Sequence, residues 1–483
     1  MKLKKIFLSG LIGLSLFICK NAQAQAFLPS FADLAERLIP SVVNISTTHD
    51  KTDLSEENAD IENQIETTVD SIFNAPQTNK VSLGSGFIIS SDGYIITNNH
   101  VIDKADSISV TLSDNTVAPA KLIGKDAKTD IALIKIDGRQ QLTPVVFGDS
   151  DKIRVGDWIL AIGNPFGLGG SVTAGIVSAK SRDIESGPYD NFIQTDASIN
   201  QGSSGGPMFN LSGEVIGVNT AIFSTNGGNM GIGFAIPVNL INFVVNELKA
   251  HGKVRRGWIG IKMQQNSADI SGSLGLSGNR GVIISEVPEN SGAAKAGIKA
   301  GDIVLKFEGN ETNNTRHLSR LVAETPIGKQ AEIEIWRNGK KQIVKVIIEE
   351  MPEEAENINK GAVPVNQTET QDEQADIGLG IVLSEINADI AAKYNFPENV
   401  SGMVVSYVQP QSDAAKKGIK TGDLITQIDK KPIIDNQDVS RYVNEAILEN
   451  KRPVLLQIKD GEQLHFVAVK LSAARQKQIK EKK

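Results

Sequence analysis

A chain of 483 residues, 40% hydrophobic and 22% charged, is too long for a single core and divides into two to four domains of ordinary globular composition. Its formal net charge of -7 argues against the broadly basic surface that non-specific nucleic-acid binding needs. The charge is uneven: residues 50–70 are rich in Asp and Glu and residues 475–483 are mostly Lys and Arg, both read as solvated segments rather than binding sites.

The first residues read as a secretory signal peptide. Lys2, Lys4 and Lys5 precede an apolar run from Ile6 to Ile18, too short to span a bilayer, and Ala22-Gln23-Ala24 offers small residues for cleavage. The segment is assigned to residues 1–24, with cleavage falling as late as 26. The single cysteine, Cys19, lies inside it, so the mature chain carries no thiol or disulfide. A lipoprotein site at Cys19 is the weaker reading, because Ile18 is bulky where such sites want a small residue. No later apolar run is long enough to cross a membrane, which predicts a soluble exported protein with at most peripheral membrane contact.

Beyond the cleavage region, residues 30–39 predict a short helix with Ser30 as N-cap, ended by Pro40. Residues 42–46 predict a strand, and the acidic stretch up to Lys80 a long polar loop. From Gly84 to His100 two β-branched and aromatic runs meet at Asp92-Gly93, the pattern of a hairpin, which leaves His100 just past its second strand. Asp130 stands at the entrance to the apolar run Ile131–Ile136. Residues 158–163 and 172–179 continue the strands, 192–200 lead into the serine loop and 214–219 return from it. Many short strands with Gly-rich turns point to an all-β barrel architecture up to about Pro237. Pro237 is then expected to open a helix with Leu240, Ile241, Phe243, Val244 and Leu248 on its apolar face, closed by Gly252.

The remainder contains an internal repeat. Residues 281–302 match residues 402–423 nearly position for position, through Gly-Ile-Lys-x-Gly-Asp at the end of each copy. Residues 351–375 between the copies are polar and acidic, as expected of a flexible linker. The expected organisation is a first domain over 27–255, repeat modules over 256–350 and 376–473, and a basic tail over 474–483.

Gly202-Ser203-Ser204-Gly205-Gly206-Pro207 has the composition that holds a serine as a nucleophile. A free serine hydroxyl attacks poorly, so a site must supply a base and backbone N–H groups aimed at the developing oxyanion. Glycines let the backbone turn tightly and come close to a carbonyl. Here Gly202, Ser203 and Ser204 offer N–H groups, those of Gly202 and Ser204 suited to converge on one oxygen. The order His100, Asp130, Ser204 is one of the known orders of a serine-histidine-aspartate triad. His100 would take the Ser204 proton and return it to the leaving amine, while Asp130 fixes the imidazole tautomer.

Thr97-Asn98-Asn99-His100-Val101, Asp130-Ile131-Ala132-Leu133 and Gly202-Ser203-Ser204-Gly205-Gly206, followed by two repeats, closely resemble the HtrA (Do-like, DegP-like) periplasmic serine proteases over almost all of the mature chain. The resemblance implies a mainly β fold, a chymotrypsin-like double β-barrel followed by two PDZ domains. It also implies ATP-independent proteolysis of misfolded envelope proteins in the periplasm, no cofactor, and assembly from trimers, with Phe27 and Phe31 as candidate contacts. The sequence agrees on energy use, since it contains no G-x-x-x-x-G-K-[ST] phosphate loop. One departure is Ser203, where such proteins usually carry Asn; loss of one oxyanion donor there would cost about 10² to 10³ in rate.

For specificity, Ser198 stands six residues before the nucleophile, where trypsin-like enzymes have an acid. The apolar segment 229–237 would place Ile232 and Phe234 at a pocket for Val, Ala or Ile side chains, with a place in the barrel core as the competing reading. In PDZ domains a peptide adds as an extra strand and its carboxylate meets backbone N–H groups. By resemblance Trp258-Ile259-Gly260-Ile261 forms that carboxylate loop in the first copy, for hydrophobic C-terminal peptides, and Gly378-Leu379-Gly380-Ile381 in the second. Residues 182–191 sit where the family couples PDZ occupancy to activity, and a plain polar turn fits them equally well. A chaperone or scaffold that captures unfolded chains and cleaves little is the alternative from another class. A metallopeptidase has no support, because no His/Glu cluster at ligand spacing occurs.

Overall fold

The computed structural model describes residues 30–49, 80–137, 142–164, 170–200, 202–224, 229–352, 378–397, 400–448, 453–461 and 463–472. The signal peptide, Phe27, the acidic loop, the inter-repeat linker and the basic tail lie outside the described residues. The chain falls into two compact units, Met1–Arg182 with Phe192–Asn242 and Asp183–Asn191 with Phe243–Lys483.

The first unit opens with helix α1 (Ala32–Leu38). Ser30 is not its N-cap. Phe31 holds that position without a side-chain cap, its ring 5.6 Å from that of Trp158, while the Ser30 hydroxyl accepts the Ala32 N–H (3.4 Å) from one residue further out. A closed barrel follows from β1 (Val42–His49), β2 (Lys80–Ile88), β3 (Tyr94–Asn98), β4 (Ser107–Thr111), β5 (Val117–Asp126) and β6 (Ile131–Ile136), in the order β1-β2-β3-β6-β5-β4. Its interior is filled by alternate residues such as Val43, Ile45, Ile95, Val110, Ala132 and Ile134, as period-2 side chains require. Between β3 and β4 runs one helical turn, α2 (Asn99–Ile102).

The second barrel is built from β7 (Val146–Phe147), β8 (Trp158–Gly163), β9 (Ser171–Arg182), β10 (Phe192–Thr195), β11 (Pro207–Asn210), β12 (Glu214–Ile222) and β13 (Gly233–Pro237). The added pairing of β11 with β12 closes the path β11-β8-β9-β10-β13-β12. Pro237 does not open the next helix. It is the last residue of β13, paired with Gly217, and α3 runs Val238–His251.

In the second unit each repeat is a partly curled antiparallel sheet closed by helices. The first copy holds β14 (Gly257–Trp258), β15 (Lys262–Gln265), β16 (Val282–Glu286), β17 (Ile303–Phe307), β18 (Asn310–Glu311), β19 (Gln330–Arg337), β20 (Lys340–Ile347) and β21 (Glu349–Glu350), with α4 (Ala268–Ser273), α5 (Gly292–Lys295) and α6 (Thr315–Ala323). The second holds β22 (Ile381–Glu385), β23 (Met403–Val408), β24 (Leu424–Ile428), β25 (Lys431–Pro432), β26 (Val454–Asp460) and β27 (Gln463–Val469), with α7 (Ala388–Tyr394), α8 (Asp413–Lys416) and α9 (Asn436–Leu448). The strand orders β15-β16-β17-β19-β20 and β22-β23-β24-β26-β27 are the same. The copies share a further apolar cluster in which Ile270, Ile283, Ile303 and Leu305 meet Leu455, Phe466 and Ala468. The Gln264 side chain closes this contact by donating to the Phe466 carbonyl (2.9 Å) and accepting its N–H (2.6 Å).

Candidate active site

Strand pairing sets the histidine beside the aspartate. Asn98, the last residue of β3, is paired with Ile131, the first of β6, so His100 and Asp130 both sit just past one rung of the ladder. Asp130 adopts a left-handed φ of 55°, uncommon for a residue with a side chain, and all its acceptors are used. Its carbonyl accepts the Asn99 N–H (3.0 Å) and the Asn98 side-chain amide (2.8 Å). Its carboxylate accepts the His100 N–H (2.9 Å) through Oδ1 and faces His100 Nδ1 at 2.7 Å through Oδ2. A carboxylate only accepts, so Nδ1 carries the proton and Nε2 is left as the basic nitrogen. His100 is half exposed and Asp130 three-quarters buried.

Ser204 lies across from this pair on the loop before β11. Its hydroxyl donates to the Thr220 carbonyl at 3.3 Å rather than to His100, and such hydrogen bonds are often long or misaligned before substrate binds. The Asn98 amide bridges the Asp130 carbonyl to the Thr220 hydroxyl (2.9 Å). Asn98 thus ties the Asp130 backbone to the Thr220 hydroxyl, while Ser204 is held by the Thr220 carbonyl. The loop packs without room for side chains: a Cβ on Gly205 would lie 2.2 Å from the Ser85 carbonyl oxygen, and Gly205 has φ +85°. The Ser203 N–H is already donated to the Asn200 carbonyl (2.9 Å) and the Gly206 N–H to the Ser203 carbonyl (3.0 Å). That turns the Ser203 N–H away from the role of oxyanion donor and leaves Gly202 and Ser204 to fill it.

The two candidate pocket residues lie on either side of the start of β13, Ile232 half-buried and Phe234 buried. Ala235 faces the interior with Ile199 and Ile193, so Phe234 faces the opposite side, its ring edge-on to Phe192 at 6.2 Å. Ile232 is half-buried just before β13, its carbonyl accepting the Phe223 N–H (3.1 Å). Ile199, which sequence reasoning missed, lies against Gly233, where a Cβ would stand 2.8 Å from its Cδ1; its place five residues before the nucleophile was the available signal. Ser198 is exposed, its carbonyl accepting the Thr173 hydroxyl (3.1 Å).

Models of two kinds of domain match this chain: a trypsin-like peptidase domain over residues 84–218, and PDZ domains over 257–348 and 404–457. A probable periplasmic serine endoprotease, DegP-like, of Brucella suis is 44% identical over 393 residues, 81% of this chain and 74% of that protein. One of the same description from Rickettsia conorii is 43% identical over 464 residues, 92% of this chain and 89% of its own. The chain belongs to the DegP-like, HtrA-type family of serine endoproteases. Among solved structures, the HtrA-type protease AlgW with a tripeptide is 39% identical with a TM-score of 0.55, covering 67% of this chain and 98% of its own. The same protease with a decapeptide gives 38% and 0.53. This DegP-like protease is therefore a mainly β serine endopeptidase of periplasmic type, with a trypsin-like domain followed by two PDZ domains.

The two loops that the family resemblance assigns to peptide carboxylates, at Gly260 and Gly380, are built alike. Gly260 (φ +73°) has no space for a Cβ, which would lie 2.2 Å from that of Ser291, and Gly380 (φ +75°) meets Ser412 at 2.5 Å. Each of those serines caps the short helix that follows, accepting the Ala294 and Ala415 N–H groups at 3.1 Å. Ile259 and Leu379 are buried beneath the loops, and Ile261 and Ile381 pack on the two cores. Trp258 lies in β14, 2.8 Å from where the Gly260 Cβ would be, and the Gly378 carbonyl accepts the Ser472 N–H (2.7 Å). Residues 183–191 belong to the second unit. There Asp183 pairs with Arg316 of α6, and Tyr189 lies 4.8 Å under the Arg256 guanidinium.

Proposed function

We propose that this protease hydrolyses unfolded polypeptides without ATP by attack of Ser204 on the scissile carbonyl, with His100 as general base and then acid. Asp130 holds the imidazole tautomer and stabilises the imidazolium. The Gly202 and Ser204 N–H groups take the oxyanion. The observation that carries this reading is that His100 Nδ1 lies 2.7 Å from the Asp130 carboxylate, with Ser204 held by the backbone of Thr220, whose side chain Asn98 joins to Asp130. Ser198 in place of an acid, and the apolar Ile232 and Phe234, favour cleavage after Val, Ala or Ile. The loop at Gly260 takes hydrophobic C-terminal peptides, and the Asp183–Arg316 pair supports a part for residues 183–191 in sensing them. The mature enzyme follows removal of residues 1–24 in the periplasm and assembles from trimers, with Phe31 at the contact.

The test is cleavage of reduced casein by the mature chain without ATP, beside Ser204→Ala, which should lower turnover by about six orders of magnitude. The product termini report the pocket, and a preference for Arg or Lys refutes it. If neither protein cleaves but both suppress aggregation, capture of unfolded chains is the main activity.

A further inference from the structure

Ser85 lies in β2 of the first barrel and is fully buried, yet its polar atoms are spent on the nucleophile loop and the residues that brace it. Its N–H donates to the Ser204 carbonyl (2.8 Å). Its hydroxyl donates to the Gly202 carbonyl (2.5 Å) and accepts the Asn164 N–H (2.8 Å), while its own carbonyl accepts the Thr97 hydroxyl (2.8 Å). An N–H only donates, so Asn164 occupies a lone pair and leaves the single hydroxyl proton for Gly202. The loop glycines press on the same residue: a Cβ on Gly206 would stand 3.3 Å from that of Ser85, and one on Gly205 would meet its carbonyl oxygen.

These contacts grip the peptide planes on both sides of the Ser204 N–H. The Ser85 hydroxyl holds the Gly202–Ser203 peptide, whose N–H goes the other way to the Asn200 carbonyl. The Ser85 N–H holds the Ser204–Gly205 peptide, whose N–H goes to the Asn219 carbonyl (2.8 Å). In the plane between them the Ser203 carbonyl accepts the Gly206 N–H, so in a trans peptide the Ser204 N–H is turned to the opposite side. Rotation of any of these planes breaks at least one of its own hydrogen bonds.

We propose that Ser85 is a positioning residue for the oxyanion hole: its hydroxyl holds the Gly202–Ser203 peptide, the plane next to the one that carries the Ser204 N–H, and so keeps that N–H aimed at the oxyanion. This rests on the reading of Ser204 as the nucleophile. Loss of an oxyanion donor costs about 10² to 10³ in rate. Ser85→Ala, which loosens donors without removing them, should lower kcat per titrated active site by about 10- to 100-fold with KM within about threefold of wild type. A peptide aldehyde, whose hemiacetal adduct carries the oxyanion, should lose affinity by the same factor, while the product peptide keeps its own. A merely structural role would lower the melting temperature and the number of titratable sites and leave kcat per site and the aldehyde affinity unchanged; that result overturns the proposal. If Ser85→Ala does not fold by circular dichroism, Ser85→Thr and Ser85→Val form an isosteric pair differing in the hydroxyl: Thr faster by about tenfold or more supports the proposal, and equal rates overturn it. Ser204→Ala is measured beside them. Cleavage that survives in Ser204→Ala defeats the nucleophile assignment itself, whereas a flat Ser85 series beside an inactive Ser204→Ala defeats only the positioning role.

Discussion

The two PDZ copies differ at a buried aspartate, and the difference predicts how the second responds to pH. In the first copy Asp302 is paired twice by Arg337, at 2.7 and 2.5 Å. In the second, the register Leu424↔Lys459 matches Ile303↔Trp336, so Asp460 stands where Arg337 does and Asp423 meets an acid. Asp423 is 7% exposed. Burial foremost, then Asp460, pushes its carboxyl up from 3.8 to about 6, against the opposing pull of the Lys420 N–H and ammonium. A carboxyl raised in the fold is bound to its proton more tightly there than in the unfolded chain. Its contribution is complete below pH 3.8 and is lost as pH rises through about 6. At about 1.36 kcal/mol per unit, the loss is roughly 3 kcal/mol. Asp423→Asn keeps an acceptor for the Lys420 N–H and removes the titration. It should make the second copy more stable than wild type by roughly 3 kcal/mol at pH 7.5, the two proteins converging near pH 4. His465, which burial holds below 6.5, acts in the opposite sense, losing its contribution as pH falls, but it is common to both proteins and cancels in the difference. Hydrogen exchange of β23 and β24 amides in the full chain, measured against urea at several pH values, gives that difference. A difference flat with pH, or a wild type more stable at pH 7.5, would refute the reasoning.

Asp130→Asn, which leaves the His100 N–H an acceptor but favours the wrong imidazole tautomer, should lower kcat by about 10⁴ in peptide hydrolysis with the fold retained. Gly260→Val forces a side chain onto Ser291 at a positive φ and should abolish binding of a fluorescent hydrophobic C-terminal peptide to the first PDZ domain; unchanged anisotropy would remove the loop from that role. Phe466→Ala empties the cluster shared by the two copies and should cost about 3 to 5 kcal/mol of tandem stability in urea unfolding.

Much of this was legible in the residues because it depends on near neighbours. Glycines around Ser204, a hairpin ending at His100 and an aspartate opening an apolar strand are patterns of a few positions each, and their order along the chain is that of a triad. The repeat is likewise a matter of spacing. The readings that failed were those in which tertiary packing overrode a local preference. Ser30 has the chemistry of a cap, and its hydroxyl does accept the Ala32 N–H, but Phe31, packed on Trp158, takes the N-cap position itself; Pro237 suits a first helical turn, but its pairing with Gly217 keeps it in β13.

The sequence by itself determined the family and the division into one trypsin-like and two repeat modules, and it named the candidate triad, since residue type and short-range spacing decide these. Only the tertiary structure decided that the Ser203 N–H is spent on Asn200, that Phe234 faces Phe192, and that Asp423 meets Asp460 where Asp302 meets arginine. The same holds for Ser85, which grips a loop 117 residues further along the chain. Each of these depends on which backbone and side-chain atoms strand register and packing bring within hydrogen-bond or van der Waals reach, and those pairings join residues far apart in the chain.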